Sequence, residues 1–156
     1  MKKIFILTLI IAASIIQPSF SQTRDIDMQL FRASSEGNLP EVRSLIRKGA
    51  NVNATQSEGA TPLIVAAFSG NLEVLQYLIS CGAKVNVRDI NGNTAIMQAS
   101  YFGYLKVVEL LVNSGGDPFV RNNEGHTAME IAQGRHNDKV VSYLSLIRLQ
   151  IMTSNK

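Results

Sequence analysis

The chain has 156 residues, of which 46% are hydrophobic and 17% are charged, as in an ordinary globular protein. Its single cysteine excludes an internal disulfide, so the fold must depend on its core. The formal net charge is only +3, and beyond the first three residues no run of basic residues could form an electrostatic footprint for nucleic acid.

The N-terminal segment has the pattern of a secretory signal peptide. Two lysines precede an apolar stretch from Ile4 to Ile16, and Pro18 and small residues follow it. We expect cleavage after residues 1–21, export to the periplasm, and no membrane contact of the mature protein. Outright secretion is one alternative. An uncleaved anchor is the other, but 13 apolar residues fall short of the about 20 that span a bilayer.

The remaining chain repeats itself at a step of 33 residues. A Gly-x-Thr triplet recurs as Gly59-Ala60-Thr61, Gly92-Asn93-Thr94 and Gly125-His126-Thr127. Three alanines keep the same step: Ala66, Ala99 and Ala132. A period in this range is typical of a solenoid, in which short units bury their apolar faces by stacking. Solenoids mostly present a surface to another macromolecule, so the period favours a binding function.

We divide the domain, residues 22–156, into a partial first unit at 25–58, two full units at 59–91 and 92–124, and a capping unit at 125–156. In the second unit, Thr61 is expected to cap a helix that begins at Pro62, and Gly70 to end it. Asn71 suits the start of the next helix, which Gly82 stops. The segment that follows, rich in Asn, Asp and Gly, reads as a turn.

The third unit repeats this plan, with Thr94 as the cap of a helix over residues 95–102 that ends at Gly103. The fourth unit departs from it, because His136 and Arg148 replace two of the recurring glycines. Its last helix is expected to start near Asp138 and to run on, as a terminal cap would. The predicted fold is an all-α solenoid of stacked helix-turn-helix pairs with protruding hairpin turns.

These residues resemble the ankyrin-repeat family over roughly Asp27 to Leu149. Gly-Ala-Thr-Pro-Leu at 59–63, the alanine pair at 66–67 and Gly-Ala-Lys-Val-Asn at 82–86 match its pattern, as does Gly-Ala-Asn-Val-Asn at 49–53. The family's Thr-Pro-Leu-His lacks its histidine here, where Ile64, Met97 and Glu130 stand instead. We therefore expect weaker coupling between the hairpin turns, with the fold unchanged.

Residues for catalysis are poorly represented. His126 and His136 have no Cys, Asp or His at metal-ligand spacing. The chain contains no Gly-x-Ser-x-Gly elbow, and Gly115-Gly116 lacks the lysine and hydroxyl residue of a phosphate-binding loop. We predict no catalytic residues, no metal, no cofactor and no enzymatic activity.

The resemblance implies a protein partner on the concave side, which the turn tips and first helices form. Phe68 and Tyr101 are 33 residues apart, so we expect neighbouring units to place them side by side, with Phe102 as a third ring. Exposed aromatic side chains in a groove anchor many interfaces, although burial in the core is the alternative. The other expected contact residues are Ser69, Arg88, Ile90, Asn91, Asn93, Arg121, Asn123, Glu124, His126 and Arg135.

Two other functions stay open at this point. The protein could be an inhibitor or immunity protein that blocks an exported enzyme, or a ligand-handling or catalytic protein with an unrecognised site. For all of these functions we expect the protein to be a monomer.

Overall fold

The computed structural model describes residues 25–154, so the predicted signal peptide lies outside the described part of the chain. The described residues form eight helices. They are α1 (25–36), α2 (Leu39–Arg47), α3 (Pro62–Ser69), α4 (Leu72–Ser80), α5 (Ala95–Phe102), α6 (Leu105–Asn113), α7 (Ala128–Gly134) and α8 (Asp138–Ser154). The all-α solenoid prediction is confirmed.

The helices stack in two rows. The first helices of neighbouring units pack together, α3 on α5 and α5 on α7, and the second helices form a looser row from α2 to α8. Ala66, Ala99 and Ala132 are fully buried in the first row, where their small side chains let the helices approach closely. One continuous apolar core therefore runs through all four units.

Threonine stands at the start of each of these first helices. The Thr61 hydroxyl accepts a hydrogen bond from the Ile64 N–H at 3.3 Å, and Thr127 forms a reciprocal capping box with Glu130. Thr94 also occupies the cap position, but its buried hydroxyl has no hydrogen-bond partner. The expectation that Thr94 caps through its side chain is wrong.

A residue with left-handed backbone conformation follows each first helix at the position where the repeat predicts a glycine. Gly70 and Gly103 have φ near +75°. In the fourth unit His136 adopts the same conformation, with φ of 59°, so the turn persists although the glycine is missing. Glycine is also needed at position 70 for space, since a Cβ there would lie 2.8 Å from the ring of Tyr104.

Asparagine side chains connect successive units. Asn71 stands at the N-cap of α4, where the sequence predicts the start of a helix, but its side chain makes no cap hydrogen bond. Its amide instead donates to the carbonyl oxygens of Ser34 and Ser35, at 2.9 and 2.8 Å, in the unit before. Asn137 bonds the third unit in the same way. These hydrogen bonds between units satisfy carbonyl oxygens at the end of a helix, which have no partner within the helix itself.

Candidate functional site: a concave groove lined by aromatic side chains

A groove with a volume of about 820 Å³ runs along the row of first helices. Residues of α3, α5 and α7 line one side of it, and the two hairpin tips that precede α5 and α7 line the other. The repeated architecture creates the groove, because each unit adds one first helix to one side of it and one hairpin tip to the other.

Four aromatic side chains, which we call the aromatic cluster, lie close together, three of them in the lining of the groove and Tyr104 beside it. They are Phe68, Tyr101, Phe102 and Tyr104. Phe102 is their centre: its ring centroid lies 4.8 Å from that of Phe68, 4.9 Å from that of Tyr101 and 5.7 Å from that of Tyr104. The first two pairs meet edge to face and the third is stacked, which are favourable geometries for aromatic rings.

Phe68 and Tyr101 both line the groove, and the ring of Phe102 contacts each of them. Phe102, one residue further along α5, reaches back to the preceding unit.

All four rings are exposed, by 36% for Tyr104 up to 53% for Phe68. The alternative that these side chains belong to the core therefore does not describe them. The guanidinium group of Arg135 lies 4.2 Å from the centroid of Tyr101, within the range of a cation–π contact. The cluster is thus a contiguous apolar surface with one cationic side chain at its edge.

Sequence reasoning missed Tyr104. The equivalent residue in the other units is an asparagine: Asn38, Asn71 or Asn137. The 33-residue alignment therefore already marked the tyrosine at this position as an exception. A tyrosine ring cannot donate the pair of amide hydrogen bonds that Asn71 and Asn137 make. Between the second and third units, the ring of Tyr104 instead lies against Gly70, where an added Cβ would be 2.8 Å from it.

The hairpin tips are fixed to one another by hydrogen bonds. The Ile90 N–H donates to the Glu58 carbonyl at 2.9 Å, and the Asn123 N–H to the Asn91 carbonyl at 3.0 Å. The guanidinium group of Arg88 also donates to the Arg121 carbonyl at 2.7 Å. The tips are therefore joined directly although the family's histidine is missing, and they give the groove a fixed wall.

The ionised groups in and beside the groove carry both signs. Glu130 pairs with Arg121 at 3.0 Å, and Glu124 and Arg135 add one charge of each sign to the lining. Hydrogen bonds from the Thr127 backbone and hydroxyl, followed by those from Arg121, hold the pKa of Glu130 below its ordinary value of 4.5. With no strong net charge, the groove offers mainly rings and amide groups to a partner.

The predicted contact residues divide into two groups. Those that line the groove are Phe68, Asn91, Asn93, Tyr101, Phe102, Glu124, His126 and Arg135. Those that lie beside it are Ser69, Arg88, Ile90, Arg121 and Asn123. In this second group Arg88, Arg121 and Asn123 bond neighbouring backbone carbonyl groups, so they help to hold the tips in place. The lining residues that the prediction missed are Met97, Gln98, Asn122, Glu130 and Ile131.

Within residues 25–154, no three His, Cys, Asp or Glu side chains gather as metal ligands would. Over the same range, none of the helices combines the length and the apolar character needed to cross a membrane.

No curated protein matches this chain. The family model for ankyrin repeats matches it three times, over residues 11–89, 30–123 and 81–153. These matches together cover most of the sequence and all four helix pairs. The chain belongs to the ankyrin-repeat family.

Proposed function

We propose that this protein is a non-enzymatic protein-protein interaction module that is exported and binds a protein partner through its groove and hairpin tips. The observation that carries this proposal is the aromatic cluster, since four contiguous exposed rings are costly to leave in water unless a partner covers them. Aromatic residues are the side chains most often found at the energetic centre of a protein interface.

The rigid groove supports the same conclusion. Hydrogen bonds between the tips and close packing between the first helices fix its two sides before any partner arrives. A surface that is already ordered loses little conformational entropy on binding, so more of the contact energy appears as affinity.

Capture of a partner from the exported fraction tests the binding surface. The triple variant Phe68→Ala, Tyr101→Ala, Phe102→Ala should lose the partner, with a drop in affinity of at least about tenfold. Met28→Ala is the matched control, because Met28 is as exposed as Phe68 but lies on α1, outside the groove. Equal recovery of the partner by the triple variant and the control would contradict the proposal. If the captured partner is an enzyme that loses activity on binding, the module acts as an inhibitor.

Export is tested separately. The pattern of residues 1–21 supports cleavage before Gln22, and mass spectrometry of protein purified from the exported fraction should find that N-terminus. Ile10→Lys places a charge in the apolar stretch and should keep the protein inside the cell. A protein that retains Met1 and is found only in the cytoplasm would contradict export without affecting the groove.

A further inference from the structure

One row of side chains crosses the groove from the second unit to the fourth. Phe102 of the third unit reaches back to Phe68 of the second, with ring centroids 4.8 Å apart. Arg135 stands 33 residues after Phe102 and reaches back in the same way, since its guanidinium carbon lies 4.2 Å from the ring centroid of Tyr101. Phe102 and Tyr101 are themselves in contact at 4.9 Å. The row is therefore unbroken, and it begins with rings and ends with a cation.

The guanidinium group of Arg135 has no acidic partner among the described residues. Within residues 25–154, the ion pairs involve other side chains, and no carboxylate oxygen lies within 4.0 Å of this group. The other arginines near the groove are already engaged. Arg121 pairs with Glu130 at 3.0 Å, and Arg88 donates to the Arg121 carbonyl oxygen at 2.7 Å. Arg135 is thus the arginine of this region whose charge stays available to a partner.

The ring of Tyr101 holds this cation in place. A guanidinium group over a tyrosine ring is attracted by the negative charge density of the ring face, and it can still donate its N–H groups to a second partner. A side chain that is ordered before binding loses less conformational entropy when the partner arrives. The planar fork of N–H groups matches the two oxygens of a carboxylate, so a carboxylate is the group that fits Arg135 best.

The acidic side chains of the groove lie toward the opposite end of α7. Glu124 belongs to the hairpin tip before this helix, and the Glu130 carboxylate accepts a hydrogen bond from Thr127 at its start, whereas Arg135 directly follows its last residue. The seven residues of α7, at about 1.5 Å each, separate its ends by about 10 Å. This is about one Debye length, so these carboxylates repel an anion at Arg135 only weakly.

We propose that the partner presents an acidic side chain to Arg135 and apolar side chains to the rings of Phe68 and Phe102. This binding mode rests on the proposed function and specifies the chemistry of the partner at the same groove. An internal Asp or Glu fits better than a chain terminus. Terminal carboxylates are captured in concave sites of backbone N–H groups, and the end of α7 presents carbonyl oxygens instead. The bound segment therefore carries an acidic residue next to an apolar one.

Two synthetic peptides that differ by one charge test this binding mode. Acetyl-Leu-Phe-Glu-amide and acetyl-Leu-Phe-Gln-amide offer the same apolar residues, but only the first carries a carboxylate. Each is titrated into isotope-labelled protein, and binding is followed by NMR at the backbone amides of Tyr101 and Phe102. The Glu peptide should bind about three to ten times more tightly, because an ion pair in an exposed groove contributes modestly. The preference should shrink at about 0.5 M salt, which screens exposed charges.

Substitutions assign the preference to Arg135. Arg135→Gln should bind both peptides equally, and Arg135→Lys should keep only part of the preference because an ammonium group lacks the planar fork. Arg148→Gln is the matched control, since it removes the same charge from α8, outside the groove, and should keep the full preference. Both arginines are exposed, so the circular dichroism spectrum should be the same for all variants.

Four results would overturn the binding mode. Equal affinities of the unaltered protein for the two peptides would show that Arg135 does not select an acidic residue, while the proposed function would stand. A preference that survives in Arg135→Gln would place the acidic residue elsewhere. Tighter binding of acetyl-Leu-Phe-Gln with a free terminal carboxylate would assign the site to a chain terminus. If neither peptide shifts the amides of Tyr101 and Phe102 at about 10 mM, the row does not bind such a segment, and capture with the triple variant decides separately whether the groove binds a partner.

Discussion

Gly70→Ala tests whether the aromatic cluster is built into the packing between the second and third units. Gly70 has φ of +75°, and an added Cβ would lie 2.8 Å from Cε2 and 2.9 Å from Cζ of Tyr104. The same ring stacks on Phe102. Alanine at position 70 therefore meets both a strained backbone and an occupied space.

The two costs can be separated with a second glycine. The left-handed conformation costs a non-glycine residue about 1–2 kcal/mol, and forcing an extra carbon against a packed ring adds about 1–3 kcal/mol. We expect Gly70→Ala to lower the free energy of unfolding by about 2–5 kcal/mol. Gly82 has φ of +88° with nothing within 4 Å of the added carbon, so Gly82→Ala should cost only about 1–2 kcal/mol. Urea unfolding followed by circular dichroism measures both.

Equal losses in the two variants would refute this reasoning. A double-mutant cycle identifies the ring as the cause: in a Tyr104→Ala background, Gly70→Ala should cost no more than Gly82→Ala. If the full cost remains after the ring is removed, Tyr104 does not fill the space above Gly70.

Three further predictions, which use four substitutions, can be tested by the same unfolding experiment. Asn71→Ala removes two hydrogen bonds to the preceding unit and should cost about 1–3 kcal/mol, and a loss below about 0.5 kcal/mol would show that water replaces them. Thr94→Val should be nearly neutral because its hydroxyl has no partner, whereas Thr61→Val should cost about 1 kcal/mol, so equal costs would contradict the difference in capping. Because the folded pKa of Glu130 is lowered, its contribution is present above the ordinary value of 4.5 and is lost as the pH falls through the folded pKa. Glu130→Gln can keep the capping geometry but does not titrate, so its loss of stability in acid should be smaller, and identical pH profiles would contradict this role.

Much of the fold could be predicted because its signals are local. A threonine before Pro62 and a glycine at position 70 mark the two ends of α3, and the same signals give the bounds of α5. Each signal acts through the conformation of one or two residues, so it can be recognised without knowledge of the neighbouring units. The long last helix followed from the missing glycine at Arg148.

Contacts between units were harder to predict. Asn71 is a residue type that caps helices, but its side chain makes no cap bond, and its NH2 group donates to two carbonyl groups in the preceding unit. Phe68 and Tyr101 are equivalent in sequence, yet the ring of Phe102, one residue beyond Tyr101, contacts Phe68. Both outcomes depend on distances across the stack, and a repeat alignment carries no information about those distances.

The division of the chain into units that touch only their neighbours also bears on how it folds. Each helix pair packs against the pair before it and the pair after it, so the main contacts between helices join residues of the same unit or of adjacent units. A chain of low contact order closes only short loops on its way to the native state, and its folding is correspondingly fast. Any two adjacent units can serve as a nucleus from which order spreads in both directions. The middle units, which carry the Phe68–Phe102 contact, are then the last to open when the ends of the solenoid fray.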